Sequence, residues 1–387
     1  MIDKIIPYGR QEITDDDISA VVDILKSDFL TQGPKIAEFE SVFANYIGVK
    51  YAVALSNGTA ALHLSVLGLK IEKGHRVLTT PITFAATANS VIYSEGEISF
   101  VDIDPASYLI DLNRIENELK KDIHSRIKGI IPVDFAGFPV NLEDLKEMAE
   151  KYGQWILEDA CHAPGGYFID SEGIKQNCGN GAYADAAIFS FHPVKHITTG
   201  EGGMITTNNK ELYEYLKLIR THGITKEPGL MQANPGSWYY EMIELGYNYR
   251  LTDIQSALGL SQLNRAKTNL EKRQKIADRY DKAFSGVPEI TKPARPNNGL
   301  HAFHLYIIQV NNRKELFDYL RNKGIYVQVH YIPLHHMPFY KNKRGSNGKL
   351  PETEQFYQRC LSLPMYPSLT ENDLDFVIES IQHFYNQ

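Results

Sequence analysis

A buried strand, a turn of small residues and the start of a helix follow one another in Tyr51-Ala52-Val53-Ala54-Leu55-Ser56-Asn57-Gly58-Thr59-Ala60-Ala61. Residues 51–55 lack the polar alternation of a half-exposed strand, which is typical of a strand that is covered on both faces. The helical segment that begins in the turn extends over residues 59–69. A strand, a turn and a helix in this order form the first half of a βαβ unit, so the segment predicts an α/β protein.

The same alternation continues along the chain as far as residue 207. Further strand-like apolar runs are found at residues 76–79, 98–103, 129–133, 155–158, 187–191 and 203–207. Helical segments lie between some of these runs, at residues 84–93 and 141–152. The pattern predicts a mostly parallel sheet between layers of helices.

The pattern changes near residue 250. A long helical stretch at 252–284 precedes a smaller α/β unit, a polar loop at 341–350 interrupts that unit, and a final helix lies near 372–384. We therefore predict two domains. Residues 1–250 would form a large domain with an N-terminal helical arm, and residues 251–387 would form a linker helix and a small C-terminal domain.

Composition excludes several classes of protein. The 387 residues are 43% hydrophobic and 22% charged, and the formal net charge is −7, which argues against a nucleic-acid partner. No apolar run is long enough to span a membrane, and the N-terminus lacks a basic segment followed by an apolar one, so we expect a cytoplasmic protein without a membrane partner.

The three cysteines show no disulfide or zinc spacing. We expect no metal at the histidines 330, 335 and 336, since no acidic residue flanks them.

Ligands of open α/β sheets bind beyond the carboxyl ends of the strands, so the residues that follow each strand are candidates. The turn Ser56–Ala61 would offer free N–H groups to a phosphate, or would only cap a helix. Asp159 follows one apolar run, where it is a functional carboxylate, a helix cap or an ion-pair partner. Lys195 lies in a segment rich in Gly, Thr, His and Pro, where burial would make its amine a nucleophile.

These three features together suit pyridoxal phosphate. That cofactor requires a phosphate anchor, a carboxylate at its pyridine nitrogen and a lysine for a Schiff base. Phe84, which follows the second apolar run, would either stack on the cofactor ring or pack in the core.

The chain resembles the DegT/DnrJ/StrS family of sugar aminotransferases, which have the aspartate-aminotransferase fold (fold type I). The resemblance extends over nearly the whole chain. The motifs that carry it are Leu30-Thr31-Gln32-Gly33-Pro34, Ser56–Ala61, Pro81–Asn89, Glu158-Asp159-Ala160-Cys161-His162-Ala163, Phe189–Gly203, Gly246–Gln255 and Ser362–Pro367.

The resemblance implies a role for each matching residue. Lys195 would bind the cofactor covalently and move the proton, and Asp159 would pair with the pyridine nitrogen. His162, where many relatives have Gln, would lie near the oxygen on the ring. The remaining cofactor-binding residues would be Gly58, Thr59, Ala60, Phe84, Ser190 and Asn248. Asn248 would reach the cofactor of a second subunit, which implies a homodimer with shared active sites.

Within the family, the chain is most similar to enzymes that aminate C4 of a UDP-linked 4-keto-6-deoxy-N-acetylhexosamine on the way to pseudaminic acid. This likeness implies L-glutamate as the amino donor. The residues that would contact the sugar nucleotide are Tyr8, Phe29, Leu30, Thr31, His330, Tyr331, Pro333 and His336. The open alternatives are another nucleotide-sugar C4 or C3 aminotransferase (legionaminic, bacillosamine or dTDP-amino-sugar pathway), a sugar dehydratase on the same fold, and a non-catalytic regulator.

Overall fold

The computed structural model describes residues 5–341 and 349–386, and most of the predicted polar loop at 341–350 lies outside them. The strands are β1 (Ile6–Pro7), β2 (Tyr51–Leu55), β3 (Arg76–Thr79), β4 (Glu97–Phe100), β5 (Ile127–Ile131), β6 (Trp155–Asp159), β7 (Tyr167–Ile169), β8 (Lys175–Asn177), β9 (Ala186–Ser190), β10 (Gly203–Thr207), β11 (Ile224–Thr225), β12 (Glu241–Met242), β13 (Gly299–Leu300), β14 (Tyr306–Gln309), β15 (Ile325–Tyr326) and β16 (Cys360–Leu363). The helices are α1 (Asp15–Leu25), α2 (Pro34–Ile47), α3 (Gly58–Gly68), α4 (Ala85–Tyr93), α5 (Leu112–Lys121), α6 (Leu142–Tyr152), α7 (Lys210–Arg220), α8 (Asp253–Asn264), α9 (Ala266–Phe284), α10 (Arg313–Asn322), α11 (Pro338–Lys341), α12 (Pro351–Arg359) and α13 (Glu371–Tyr385). Among these helices, none is both long and apolar enough to cross a membrane.

A seven-stranded sheet organises the fold, with the strand order β2-β10-β9-β6-β5-β3-β4. Only β10 is antiparallel to its neighbours, β2 and β9, and the pairs from β9 to β4 are parallel. The predicted α/β class with a mostly parallel sheet is confirmed. Residues on both faces of β2 and β10 are buried, which explains why these strands lack polar alternation.

The long helical stretch predicted at 252–284 is two helices, and this prediction is corrected. The helix breaks at Arg265, whose backbone has φ −112° and ψ 10° and so leaves the helical conformation. The Arg265 guanidinium donates to Asp17 Oδ2 at 2.6 Å and to the Glu12 carbonyl at 2.7 Å. Arg265 therefore connects the start of α9 to the N-terminal helix α1. The periodicity of the sequence near residue 265 does not reveal this contact.

The C-terminal third builds its own apolar core around β14, β16, α10 and α13. Ile6 belongs to this core, because β1 pairs in parallel with β15 at the far end of the chain. The helix α8, by contrast, packs against α1 and α2. The predicted division after residue 250 stays a prediction.

Candidate active site

The carboxyl ends of two adjacent parallel strands form the centre of the site. Asp159 ends β6 and Ser190 ends β9, and Asp159 lies in register with Ile188. The first residue of α3, Gly58, approaches Ser190 so closely that a Cβ on Gly58 would lie 3.0 Å from the Ser190 Cβ. The predicted phosphate turn and Ser190 thus border one small space, which a side chain at residue 58 would fill.

The N-terminus of α3 faces this space with free N–H groups. Asn57 caps the helix, and its Oδ1 accepts the Ala60 N–H at 2.8 Å. The N–H groups of Gly58 and Thr59 come before the first intrahelical hydrogen bond, and the helix dipole adds positive charge there. Gly58, Thr59 and Ser190 therefore fit a phosphate group, whereas the amide of Ala60 already donates to the cap.

Asp159 is held in one orientation. The residue is only 5% exposed, and its Oδ2 accepts a hydrogen bond from Thr87 Oγ1 at 2.8 Å. A second hydroxyl, Thr83 Oγ1, lies 2.8 Å from that of Thr87. Sequence reasoning missed Thr87, although its place one turn after Phe84 puts it on the same face of α4.

Lys195 lies in the turn that follows β9 and is half-buried. The backbone N–H of Lys195 donates to the His192 carbonyl at 2.9 Å, and this hydrogen bond closes the turn. Burial lowers the pKa of the Lys195 amine, and the nearby acidic groups of Cys161 and Asp159 oppose that shift. A lowered pKa increases the unprotonated fraction, which is the nucleophilic form.

His162 is a buried, neutral imidazole next to Lys195. Burial, and then the positive charge of Lys195, hold its pKa well below the ordinary value. Its Nε2 lies 3.3 Å from the Tyr331 hydroxyl, and its ring centroid lies 4.3 Å from that of His304. Sequence reasoning missed His304, because its ring meets that of His162 only in the folded chain.

Phe84 is an exposed aromatic residue beside these groups. As the N-cap of α4 it is 63% exposed, and its ring centroid lies 6.4 Å from that of Tyr331. The alternative that Phe84 packs in the core is therefore wrong. An aromatic face open beside a carboxylate and a half-buried lysine fits a flat, conjugated ligand.

The predicted sugar-binding residues separate into two groups. Tyr8, His330 and Tyr331 lie together, with ring centroids 5.0 Å apart for Tyr8 and His330 and again for His330 and Tyr331. Pro333 follows in the same loop, whose next residue, Leu334, donates its N–H to the Pro81 carbonyl at 3.0 Å. The second group consists of the exposed residues Phe29, Leu30 and Thr31. Asn248, which we predicted to bind the cofactor of a second subunit, is exposed as well.

An acidic residue does contact the adjacent histidines, contrary to our premise. Glu354 Oε1 lies 2.6 Å from His335 Nε2 and 2.8 Å from His336 Nε2. Glu354 comes from α12, so the sequence around the histidines does not show it. Both imidazoles already have this carboxylate oxygen as a hydrogen-bond partner, and the absence of a metal here stays a prediction.

His330 makes the stability of the protein sensitive to acid. Burial, and then the charge of Lys195, lower its pKa to about 3, and its Nδ1 lies 2.8 Å from Ser362 Oγ. The unfolded chain binds a proton at His330 near pH 6.5, so the free energy of unfolding falls on acidification from about pH 6.5 towards 3, by up to about 1.4 kcal/mol per pH unit. We expect His330→Gln to remove this contribution, as measured by urea unfolding at pH 4.5–7. The exposed His124→Gln is the control, and an unchanged pH slope in His330→Gln would contradict the assignment.

The sheet order and the residues at its carboxyl edge define a pyridoxal-phosphate enzyme of the aspartate-aminotransferase fold. The pattern of the DegT/DnrJ/EryC1/StrS aminotransferase family matches residues 11–382, and the chain belongs to that family. It is accordingly a sugar aminotransferase that uses pyridoxal phosphate.

Similar proteins cover nearly the whole chain. Spore coat polysaccharide biosynthesis protein SpsC of Bacillus subtilis is 36% identical over 97% of this chain and 96% of its own length. A UDP-4-amino-4,6-dideoxy-N-acetyl-beta-L-altrosamine transaminase of Campylobacter jejuni is 39% identical over 97% of this chain and 96% of its own. Among solved structures, Helicobacter pylori PseC, an aminotransferase involved in the biosynthesis of pseudoaminic acid, has a TM-score of 0.89 at 32% identity, over 99% of this chain and 100% of its own. A Streptococcus pneumoniae relative in its PLP form has a TM-score of 0.90 at 30% identity, over 99% and 98%.

Proposed function

We propose that this protein transfers the amino group of L-glutamate to the C4 keto group of a UDP-linked 4-keto-6-deoxy-N-acetylhexosamine, in the pathway to pseudaminic acid. The observation that carries the reaction type is the convergence of Lys195, Asp159 and the start of α3 at one edge of the sheet. The choice of sugar is supported by the likeness to the altrosamine transaminase and to PseC over nearly the full chain.

Pyridoxal phosphate, when bound, supplies a conjugated system that withdraws electrons from the carbon that carries the amino group. Gly58, Thr59 and Ser190 would bind its phosphate, and Phe84 would orient its ring by stacking. Asp159 would hold a proton at the ring nitrogen, because Thr87 fixes the carboxylate and leaves its charge available.

The Lys195 amine carries out the proton movements. Its Nζ would hold the cofactor covalently at rest, would be released when the amine of glutamate takes its place, and would then accept the proton from the substrate carbon. The same nitrogen would pass that proton to the cofactor carbon that bears the amino nitrogen, and in the second half of the reaction it would carry the proton from that carbon to C4 of the sugar. A single group serves as nucleophile, base and acid because its lowered pKa lies nearer neutral pH.

The keto-sugar is placed over this site by the loop that contains His330, Tyr331 and Pro333. Tyr331 contacts both Phe84 and His162, so it connects the proposed stacking residue with the ring-oxygen side of the cofactor. Tyr8 adds an aromatic ring beside His330. Aromatic faces and imidazole nitrogens are suited to the apolar face and the hydroxyl groups of a sugar.

The active unit in this proposal is a homodimer. Large apolar side chains are exposed in one segment that precedes Asn248: Leu230, Trp238, Tyr240, Met242, Ile243 and Leu245. Such a concentration is typical of a subunit interface. Asn248 and the turn at residues 29–31 would then complete the site of the second subunit. The free thiols of Cys161, Cys178 and Cys360 agree with the proposed cytoplasmic location.

Mixed dimers test whether active sites are shared. Lys195→Ala and Asn248→Ala are each expected to be nearly inactive alone. In a mixed dimer one site contains both changes and the other contains neither, so random exchange of equal amounts should restore about a quarter of native activity. A mixture of Lys195→Ala with Asp159→Asn is the matched control and should restore nothing. No recovery in the first mixture would place Asn248 with the site of its own chain.

The substrate is tested by incubating the purified protein with glutamate and a panel of UDP- and dTDP-linked 4-keto sugars. We expect the UDP-linked 4-keto-6-deoxy-N-acetylhexosamine to give a C4-amino product, identified by NMR, with 2-oxoglutarate formed in equal amount. A product from another member of the panel would favour the legionaminic, bacillosamine or dTDP-amino-sugar alternatives. Amination of keto-acids alone would exclude a sugar substrate.

A further inference from the structure

Two carboxyl groups that the proposed chemistry does not use are buried together behind Asp159. Asp134 is 0% exposed and Glu158 is 1% exposed. An oxygen of each lies, together with the sulfur of Cys178, in a group whose atoms are all within 4.8 Å of one another. Glu158 immediately precedes Asp159 in β6, and Asp134 follows β5, the neighbouring strand.

Each carboxyl group of the pair accepts one hydrogen bond from the backbone. The Val140 N–H donates to Asp134 Oδ1 at 2.8 Å, and the Gly179 N–H donates to Glu158 Oε2 at 2.9 Å. Asp134 Oδ2 is buried without a donor. A buried carboxylate oxygen that lacks a donor is costly unless a proton lies between it and a second acceptor.

The electrostatic surroundings of the pair are acidic. Burial raises the pKa of Asp134 to about 6, and burial, followed by the charge of Asp134, raises that of Glu158 well above its ordinary value. The charge of Asp159 raises both pKa values further, whereas a hydrogen bond from the Cys178 thiol lowers that of Asp134. Two carboxylates in such surroundings do not both ionise, so the pair keeps one proton at neutral pH.

We propose that Asp134 and Glu158 share one proton and together act as a positioning pair for Asp159, with a single negative charge behind it. This inference rests on the proposed function, because it takes Asp159 as the partner of the cofactor's ring nitrogen. The shared proton leaves Asp159 as the carboxylate available to that nitrogen, while the charge of the pair favours the protonated ring.

The pair also holds in place the turn at residues 134–137, which borders the site. The Asp134 N–H donates to the Asp159 carbonyl at 3.1 Å, and Phe135 places its ring 6.4 Å from that of His162. Within this turn, a Cβ on Gly137 would lie 2.9 Å from the His162 carbonyl oxygen. The hydrogen bond between the two carboxyl groups therefore joins this turn to the strand end that carries Asp159.

Amide variants test the shared proton. In Glu158→Gln or Asp134→Asn an amide N–H takes the place of the shared proton, so both variants should fold. Only the native chain must take up a proton at this pair when it folds. The quantity compared is the ratio of the unfolding equilibrium constant of the native chain to that of Glu158→Gln. This ratio should rise by up to tenfold per pH unit between pH 5 and 8. The reason is that the raised pKa of the carboxyl pair stabilises the native fold at low pH, and this stabilisation is lost as the pH rises. The measurement is urea unfolding of the full chain with excess pyridoxal phosphate. Glu147→Gln, an exposed position on α6, is the control. A ratio that does not change with pH would overturn the proposal.

A spectroscopic titration tests the positioning role. Each single amide variant keeps one negative charge, so the pH midpoint of the cofactor absorbance should stay at the native value. The double variant Asp134→Asn/Glu158→Gln removes that charge and should lower the midpoint by about one pH unit. A double variant with the native midpoint would reduce the pair to a structural role and overturn the proposal. Neither measurement needs a sugar, so failure of the substrate panel leaves this test intact.

Discussion

Replacement of Lys195 by alanine should lower turnover by more than about 10³-fold, because one amine serves as nucleophile, acid and base. The cofactor should bind without the absorbance of its covalent form and should be lost on dialysis. The half-reaction with glutamate, followed by stopped-flow absorbance, is the direct measurement. Added methylamine should restore part of the rate, since a small amine fits the space that the side chain leaves.

Lys217→Ala is the matched control, since Lys217 lies on α7 and loses only its ion pair with Glu214 and its contact with the Tyr213 ring. This variant should retain native turnover and native absorbance. If Lys195→Ala kept full turnover and the absorbance of the covalent form, the proposed mechanism would be wrong.

Replacement of Asp159 by asparagine should lower kcat by about 10²- to 10³-fold, as does the loss of one preorganised charged partner in other enzymes. Asparagine still accepts a hydrogen bond from Thr87 but no longer stabilises a proton on the ring nitrogen. The expected signature is a fall in kcat with a much smaller change in KM for glutamate, from steady-state kinetics.

The variant Thr87→Val tests how much the orientation of Asp159 contributes to kcat, independently of its charge. Valine keeps the shape of threonine but removes the hydroxyl that donates to Asp159 Oδ2 at 2.8 Å. We expect about a tenfold loss of kcat, the effect of one hydrogen bond to a charged group. An Asp159→Asn variant that is no more impaired than Thr87→Val would show that the charge is not required.

Local patterns in the sequence predict the central sheet and the residues at its edge. The bounds predicted for β2, β3 and β10 agree with the structure, because each is a short apolar run closed by a turn. Strand ends in such a sheet converge, so Asp159 and the segment that contains Lys195 are found from local information alone.

Contacts between distant parts of the chain are not predictable in this way. The hydrogen bond from Thr87 to Asp159, the contact of Glu354 with His335, and the break at Arg265 each depend on a partner far along the sequence. A threonine in a helix or a glutamate at the start of α12 has no local feature that identifies its partner. The role proposed for the exposed Asn248 depends on a second subunit, which the proposed homodimer would supply.

The pairing of β1 with β15 has a consequence for how the protein is made. A ribosome adds about 5 to 20 residues each second, so the partner of Ile6 follows it by roughly 15 to 60 s. During that interval β1 has no strand to pair with, and Ile6 lacks the core in which it is buried in the folded chain. The C-terminal core in which Ile6 is buried therefore closes only near the end of translation, and a prematurely terminated chain leaves that core incomplete.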